Sequence, residues 1–254
     1  DIETGKAIYK RPVLGGVPTE PAAVDTDQNG ILDTVYFGTT AGYLYKIDLR
    51  EPADLLDLPS GARRVIDAAW DPFPVFDTGG KPIFYPPSVI FVGDLNRYAI
   101  AFGTGDREDL WNPDMADQEG RYFMLLDQIL AGVPPTLREW RREDYLVGLL
   151  PRNEGQFLEI LPDGPSSSGE ALISPPTGLE HGWFMRLDAA ERVLTNSVAI
   201  SGLTFFTTFQ PKDDQRQRAE RRQSLSGHPR LRHPALHRAG PDEEPDLRRG
   251  RGRD

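Results

Sequence analysis

The sequence predicts an all-β fold with a repeat architecture, on three observations. Short runs with strand chemistry recur through the first 210 residues. Clusters of Gly, Pro, Asp and Asn separate those runs, and 23 Pro with 25 Gly over 254 residues leave little room for long helices. One strand-ending tripeptide, Phe-Gly-Thr, occurs before a turn at Phe37 and again at Phe102, a weak internal similarity that points to repeated units.

The elements follow in order. The opening stretch DIETGKAIYK (Asp1 to Lys10) has Asp, then Thr-Gly, then an aromatic four residues after the Gly. The outer strand of quinoprotein-type β-propeller blades carries a D-x-x-T-G-x-x-x-W pattern of this kind, here with Tyr9 in place of Trp. The expectation is a modified quinoprotein-like β-propeller entered mid-ring. At roughly 40 to 50 residues per blade, residues 1–210 would make about four or five blades. The strand runs are PAAVD (Pro21 to Asp25), TVYFGTT (Thr34 to Thr40), YLYKIDL (Tyr43 to Leu49), SVIFVGD (Ser88 to Asp94), YAIAFGTG (Tyr98 to Gly105), RYFMLLD (Arg121 to Asp127), GWFMRLD (Gly182 to Asp188) and GLTFFTTF (Gly202 to Phe209). One helix is expected in TLREWRREDYL (Thr136 to Leu146), with Thr136 and Glu139 in capping-box spacing and Leu137 and Trp140 on one face. It reads as a helical turn packed over a loop.

The 12 Phe, 8 Tyr and 4 Trp all precede Pro211, and from Gln215 to Asp254 there is no aromatic, Val or Ile. Such a composition buries too little apolar area to offset the entropy of ordering, so residues 211–254 are expected to be a disordered tail. RRGRGR (Arg248 to Arg253) as a basic arm for nucleic acid or membrane is the weaker reading. From Pro211 onward there are 12 Lys+Arg and 8 Asp+Glu, leaving 17 basic and 31 acidic residues before it; the body is near −14 and the tail near +4. An acidic body argues against a nucleic-acid groove, which needs basic residues to displace counterions. The longest apolar run, VAISGLTFF (Val198 to Phe206), is half of what a membrane helix needs. Cysteine is absent, which removes disulfides, thiolate metal sites and thiol catalysis. No signal-type segment opens the chain, so any secretion signal is expected to lie outside it or to have been removed.

The densest chemistry sits in DTDQNGILD. Asp25, Asp27, Asn29 and Asp33 occupy positions 1, 3, 5 and 9 of a loop with Gly30 at position 6. Calcium loops of the EF-hand kind place oxygen ligands at 1, 3, 5, 7 and 9, with Gly at 6 for the sharp turn. The Ile31 carbonyl would supply position 7. Position 12 is Tyr36, in the following strand, so the loop keeps the coordinating half of the motif without an exiting helix. Oxygen-only donors and three negative charges favour Ca2+ over zinc or copper. The plainer alternative is an Asx-rich turn, which accounts for two of these residues but not for four at these offsets plus the Gly.

The segment AVDTDQNGILDTVYFGTTAGYLYKID resembles the calcium loop and flanking hairpin of the PilY-type family, the type IV pilus biogenesis and tip-associated adhesin proteins. PIFYPPSVIF, YAIAFGTGDRED, GRYFMLLD and GWFMRLDAAERVLTNSVAISGLTFFTTFQP agree with that resemblance, in order, over most of residues 1–210. The resemblance implies an exported β-propeller at the cell surface, associated with the outer membrane and the pilus. It implies calcium-dependent control of pilus extension and retraction, surface adhesion, pilins or minor pilins as partners, and host or abiotic surfaces as targets. It assigns Asp25, Asp27, Asn29, Ile31 through its carbonyl, and Asp33 as the ligands. After FTTFQP the family continues into further Gly-rich strands. Here an Arg-Gly-Pro-His-Ala mixture begins, of the sort a GC-rich coding sequence gives when read out of frame, so the propeller is expected to be incomplete.

No converging catalytic set is legible, and the reading is non-enzymatic. His181, beside a strand in LEHGWF, is read as structural. His228, His233 and His237 lie in the tail without acidic or cysteine partners. Asp106, Glu108 and Asp109 are read as a solvated turn rather than a carboxylate pair for acid–base work. GxxxxGK[ST] and GxSxG elements are absent. A PQQ-dependent dehydrogenase propeller is the runner-up, on the Asp1 to Lys10 pattern alone. A calcium-binding extracellular repeat module unrelated to pili is the third reading.

Overall fold

Each of two successive stretches of the chain folds into a four-stranded antiparallel meander, and one short segment then joins both. The structure, a computed structural model, describes residues 1–50, 55–57, 63–65, 70–95, 97–108, 110, 119–127, 140–160, 181–200 and 203–211. The expectations for the tail beyond Pro211, for Thr136 and Glu139, for Asp109 and for the three tail histidines lie outside these residues.

The strands are β1 (Ala22–Val24), β2 (Thr34–Gly38), β3 (Tyr43–Asp48), β4 (Leu55–Asp57), β5 (Arg63–Val65), β6 (Phe73–Asp77), β7 (Ser88–Val92), β8 (Arg97–Gly103) and β9 (Glu119–Asp127). Helix α1 (Arg142–Leu146) comes next, followed by β10 (Arg152–Asn153), β11 (Leu158–Ile160), β12 (Gly182–Ala189), β13 (Arg192–Val193), β14 (Val198–Ile200), β15 (Leu203–Phe205) and β16 (Thr208–Phe209). The first sheet runs β1-β2-β3-β6-β10 and the second β7-β8-β9-β12-β11. In both, the four meander strands are antiparallel and the fifth is parallel. Both parallel strands come from residues 152–160, so this segment ties the outer strand of one sheet to that of the other.

The all-β expectation holds: α1, of five residues, is the one α-helix among the described residues. It starts later than the sequence pattern implied. The Arg141 amide donates to Asp144 Oδ2 at 2.7 Å, and Gly148 closes the turn with φ +79°. Trp140 precedes the helix and is buried in the core instead of on a helix face. Asp1 to Lys10 does not form the expected outer strand. Asp1 Oδ1 accepts from the Glu3 and Thr4 amides, which makes a capped turn, and β10 takes the edge of β6. The described strands do not reach the four or five blades that length suggested; they form two five-stranded sheets and three two-stranded ones.

One apolar core fills the space between the two sheets. Tyr36, Leu44, Phe73, Val75 and Phe76 come from the first sheet, and Ile100, Phe102, Phe123, Leu125 and Phe184 from the second. Phe76 lies at ring-centroid distances of 4.7 Å from Phe123, 5.0 Å from Phe157 and 5.8 Å from Phe102. Such pairs add about 0.5–1.5 kcal/mol each beyond area burial. A second cluster of Ala101, Tyr122, Leu187 and Val193, with Phe206 against it, covers the far face of the second sheet.

The Phe-Gly-Thr similarity is structural. Gly38 ends β2, and a Cβ there would lie 2.3 Å from Ile83 Cγ2; Gly103 ends β8, and a Cβ there would lie 2.3 Å from Val193 Cβ. The Ile83 amide donates to the Thr39 carbonyl at 3.0 Å, and the Val193 amide to the Thr104 carbonyl at 3.1 Å. Thr39 and Thr104 are both buried and both close the next strand, by backbone bonds to Tyr43 and Arg121. Strand β7 begins at Ser88 and β14 at Val198, the same step beyond Ile83 and Val193. Glycine is required because each unit seats the branched side chain that opens the next one.

Candidate metal site

Residues 25–33 connect β1 to β2, and the pairing of Val24 with Thr34 brings the loop's two ends together. The Asp33 amide donates to the Val24 carbonyl at 2.9 Å, and the Leu49 amide to the Asp33 carbonyl at 2.7 Å. The chain reverses through Gln28 at φ +61° and Gly30 at φ +91°, in the left-handed region. Gly30 has open space where a Cβ would stand, so it is the backbone angle that favours glycine there.

This reversal gathers the three aspartates. One carboxylate oxygen from each of Asp25, Asp27 and Asp33 lies within 4.8 Å of the other two. Asp33 is buried at the base of the loop. Its Oδ1 accepts from Thr26 N at 3.1 Å, Thr26 Oγ1 at 2.7 Å and Thr34 Oγ1 at 2.8 Å. Asp25 Oδ1 accepts from the Asn29 amide at 3.1 Å and its Oδ2 from the Gly30 amide at 2.6 Å. Asp27 Oδ1 accepts from the Asn29 amide at 3.1 Å, and Asp27 Oδ2 from Asn29 Nδ2 at 2.9 Å. Burial pushes the Asp25 carboxyl up, but hydrogen bonds led by the Gly30 and Asn29 amides outweigh it, and the net direction is down.

The residues expected as ligands fall into two groups. Asp25, Asp27 and Asp33 converge. Asn29 sits among them with its Oδ1 accepting from the Ile31 amide at 2.8 Å, while the Ile31 side chain is exposed. The Asx-turn bonds of the plainer reading are therefore present too. They do not exhaust the carboxylates, since an ionised carboxylate offers about four lone-pair sites. The donor set fits a hard divalent cation: oxygen atoms alone, three formal charges and no imidazole or thiolate. Three carboxylates this close repel one another, and a cation between them turns that repulsion into binding.

Sequence reasoning missed what steadies the loop. Thr26 and Thr34 orient Asp33, and Tyr98 on β8 reaches across from the second sheet, its hydroxyl donating to the Asp25 carbonyl at 2.8 Å. Burial raises the Tyr98 hydroxyl, and the charges of Asp25, Asp33 and Asp27 push in the same direction. The threonines alternate with aspartates and could have been read as their partners; Tyr98 has no sequence signal linking it to the loop. The remaining candidates stand apart. The His181 carbonyl accepts from the Leu126 amide at 2.9 Å and its ring lies 6.3 Å from that of Phe157, both structural contacts. Asp106 Oδ1 accepts from the Glu108 amide at 2.8 Å in an exposed turn. Among the described residues no helix is long and apolar enough to cross a membrane.

No protein-family model matches the chain, and no curated protein matches it. Among solved structures, the C-terminal domain of PilY1 from Pseudomonas aeruginosa is similar to it at 16% identity and a TM-score of 0.48, covering 75% of this chain. The chain covers 44% of that domain, less than half its length. A likeness at that level carries no argument about the site.

Proposed function

We propose that this chain is a calcium-binding, non-enzymatic β-propeller segment of a type IV pilus biogenesis factor or tip adhesin. The observation that carries the calcium reading is the convergence of Asp25, Asp27 and Asp33 oxygens within 4.8 Å at loop positions 1, 3 and 9. In that reading Asn29 and the Ile31 carbonyl complete the ligand set. The two sheets with repeated meander topology and equivalent Phe-Gly-Thr turns support a propeller, each sheet being one blade. The pilus assignment rests on the sequence resemblance to the PilY-type family. It brings an exported, outer-membrane-associated location at the pilus, pilins or minor pilins as partners, and host or abiotic surfaces as targets of adhesion.

The ion supplies charge neutralisation and cross-linking of the loop when bound; the protein's part is to hold three carboxylates in register at the mouth of a hairpin. In cells, occupancy of the loop would take part in the control of pilus extension and retraction. The test pairs calorimetric titration of the chain with CaCl2, for wild type and Asp33→Ala, with pilus counts in cells carrying each form of the full-length protein. Weakened calcium binding together with altered piliation is the expected result. Unchanged affinity in Asp33→Ala would remove the metal site. Lost binding with normal piliation would leave a calcium-binding extracellular module unrelated to pili.

A further inference from the structure

The peptide unit between Asp25 and Thr26 is clamped from two sides. Its carbonyl accepts the Tyr98 hydroxyl at 2.8 Å, from β8 of the second sheet. Its amide donates to Asp33 Oδ1 and Oδ2 at 3.1 and 3.2 Å, at the root of β2 in the first sheet. Asp33 is one of the three converging carboxylates, and Asp25, whose carbonyl is held, is another. A cation that draws in the Asp25 and Asp33 side chains therefore acts on a peptide already fastened to the second sheet. Tyr98 is itself firmly seated: it is 4% exposed, it pairs with Phe91 across β7 and β8, and their rings lie 5.1 Å apart.

We propose that Tyr98 is the positioning residue of the cation loop and couples its occupancy to the packing of the second sheet on the first. The inference rests on the calcium reading of the loop. With the Tyr98 bond in place the Asp25–Thr26 peptide is fixed before the ion arrives, so less ordering remains to oppose binding. Linkage is reciprocal: if seating of β8 favours the ion, the ion favours seating of β8 by the same factor. Calcium would then stiffen the junction between the two sheets as well as the hairpin that holds it.

Amide hydrogen exchange of the whole chain with and without CaCl2, beside calorimetric titration, tests this in wild type and Tyr98→Phe. Phenylalanine keeps the ring against Phe91 and removes only the hydroxyl. In wild type, calcium is expected to slow exchange in residues 25–34 and also in β7 and β8. In Tyr98→Phe, affinity is expected to fall about two- to tenfold, the worth of one net hydrogen bond. Protection of the loop should return at saturating calcium while the effect on β7 and β8 disappears. Equal affinity in the variant, or a wild-type response confined to residues 25–34, overturns the coupling and leaves the calcium reading standing. Absence of any calcium binding in wild type overturns both. Should circular dichroism show the variant unfolded, the wild-type exchange map alone decides, because coupling requires β8 to respond to the ion.

Discussion

The ammonium of Lys46 on β3 lies 2.6 Å from Asp127 Oδ2 on β9, and both side chains are buried between the two sheets. Tyr36 donates to the same carboxylate oxygen, the Trp140 amide donates to Asp127 Oδ1 at 2.8 Å, and Lys46 Nζ reaches the Trp140 carbonyl at 3.0 Å. The Lys46 ammonium also lies 5.6 Å from the centre of the Tyr36 ring. Asp127 thus joins both sheets and the segment leading to α1. Removing one partner strands a charge in a low dielectric, whereas removing both need not. Lys46→Met and Asp127→Leu are each expected to lose about 3–5 kcal/mol of stability, and the two together less than the sum of these parts. Urea unfolding of the two single variants and the double one measures this; strict additivity would show that the pair does not interact.

The repeated glycines make a matched prediction. Gly38→Ala and Gly103→Ala each force a methyl into Ile83 or Val193, and each is expected to cost about 1–3 kcal/mol by overpacking. Adding Ile83→Ala to Gly38→Ala should recover part of the loss, because the clash is with that side chain. Midpoints of chemical denaturation check it, and a neutral Gly38→Ala would mean that the turn opens without cost.

Calcium binding at residues 25–33, as proposed above, predicts a salt-specific stabilisation. Extracellular calcium sites commonly have Kd values near about 10⁻⁴ M, so about 10 mM CaCl2 is a hundredfold excess and adds about 2.7 kcal/mol, or roughly 5–10 °C in Tm. Asp33→Asn keeps the shape of the side chain and removes one of three charges. Its Tm is expected to respond little to calcium at the same concentration, while its calcium-free spectrum stays β-dominated. An equal rise for both forms in a thermal melt would argue against Asp33 as a ligand.

At high pH the stability should fall in a defined window. Burial pushes the Tyr122 hydroxyl up to about 12 from 10.0; burial, with Asp71 acting in the same direction, does the same for Tyr9. The folded form holds these protons more tightly than the open chain. Their contribution is complete below about pH 10 and is lost as pH rises towards about 12. Tyr122→Phe keeps the ring against Phe206 and should move the alkaline unfolding midpoint upward, read by circular dichroism. An unchanged midpoint would place the alkaline transition elsewhere.

Part of the fold was legible because its signals are local. The apolar runs at Thr34 to Thr40, Tyr43 to Leu49, Tyr98 to Gly105 and Arg121 to Asp127 became β2, β3, β8 and β9, since alternation and turn residues act over a few positions. Strand β6 escaped notice because Pro74 interrupts it. Pro74 stands opposite Tyr45, where the β3–β6 register shifts, a place that tolerates a residue with no amide proton. The parallel strands β10 and β11 are two and three residues long and have no sequence signal of their own.

By itself the sequence determined the all-β class, the Phe-Gly-Thr repeat and the nine-residue loop whose offsets bring three aspartates together, because each depends on residues close along the chain. Only the tertiary structure decided that Lys46, in a strand where a lysine would be read as solvated, points with Leu44 into the core and meets Asp127, 81 residues away. It alone placed Tyr98 on the carbonyl of Asp25, 73 residues back. The physical reason is that a polar side chain looks the same in sequence whether it faces water or a buried partner. The cost of burying it is met by an atom that becomes a neighbour only when the two sheets pack.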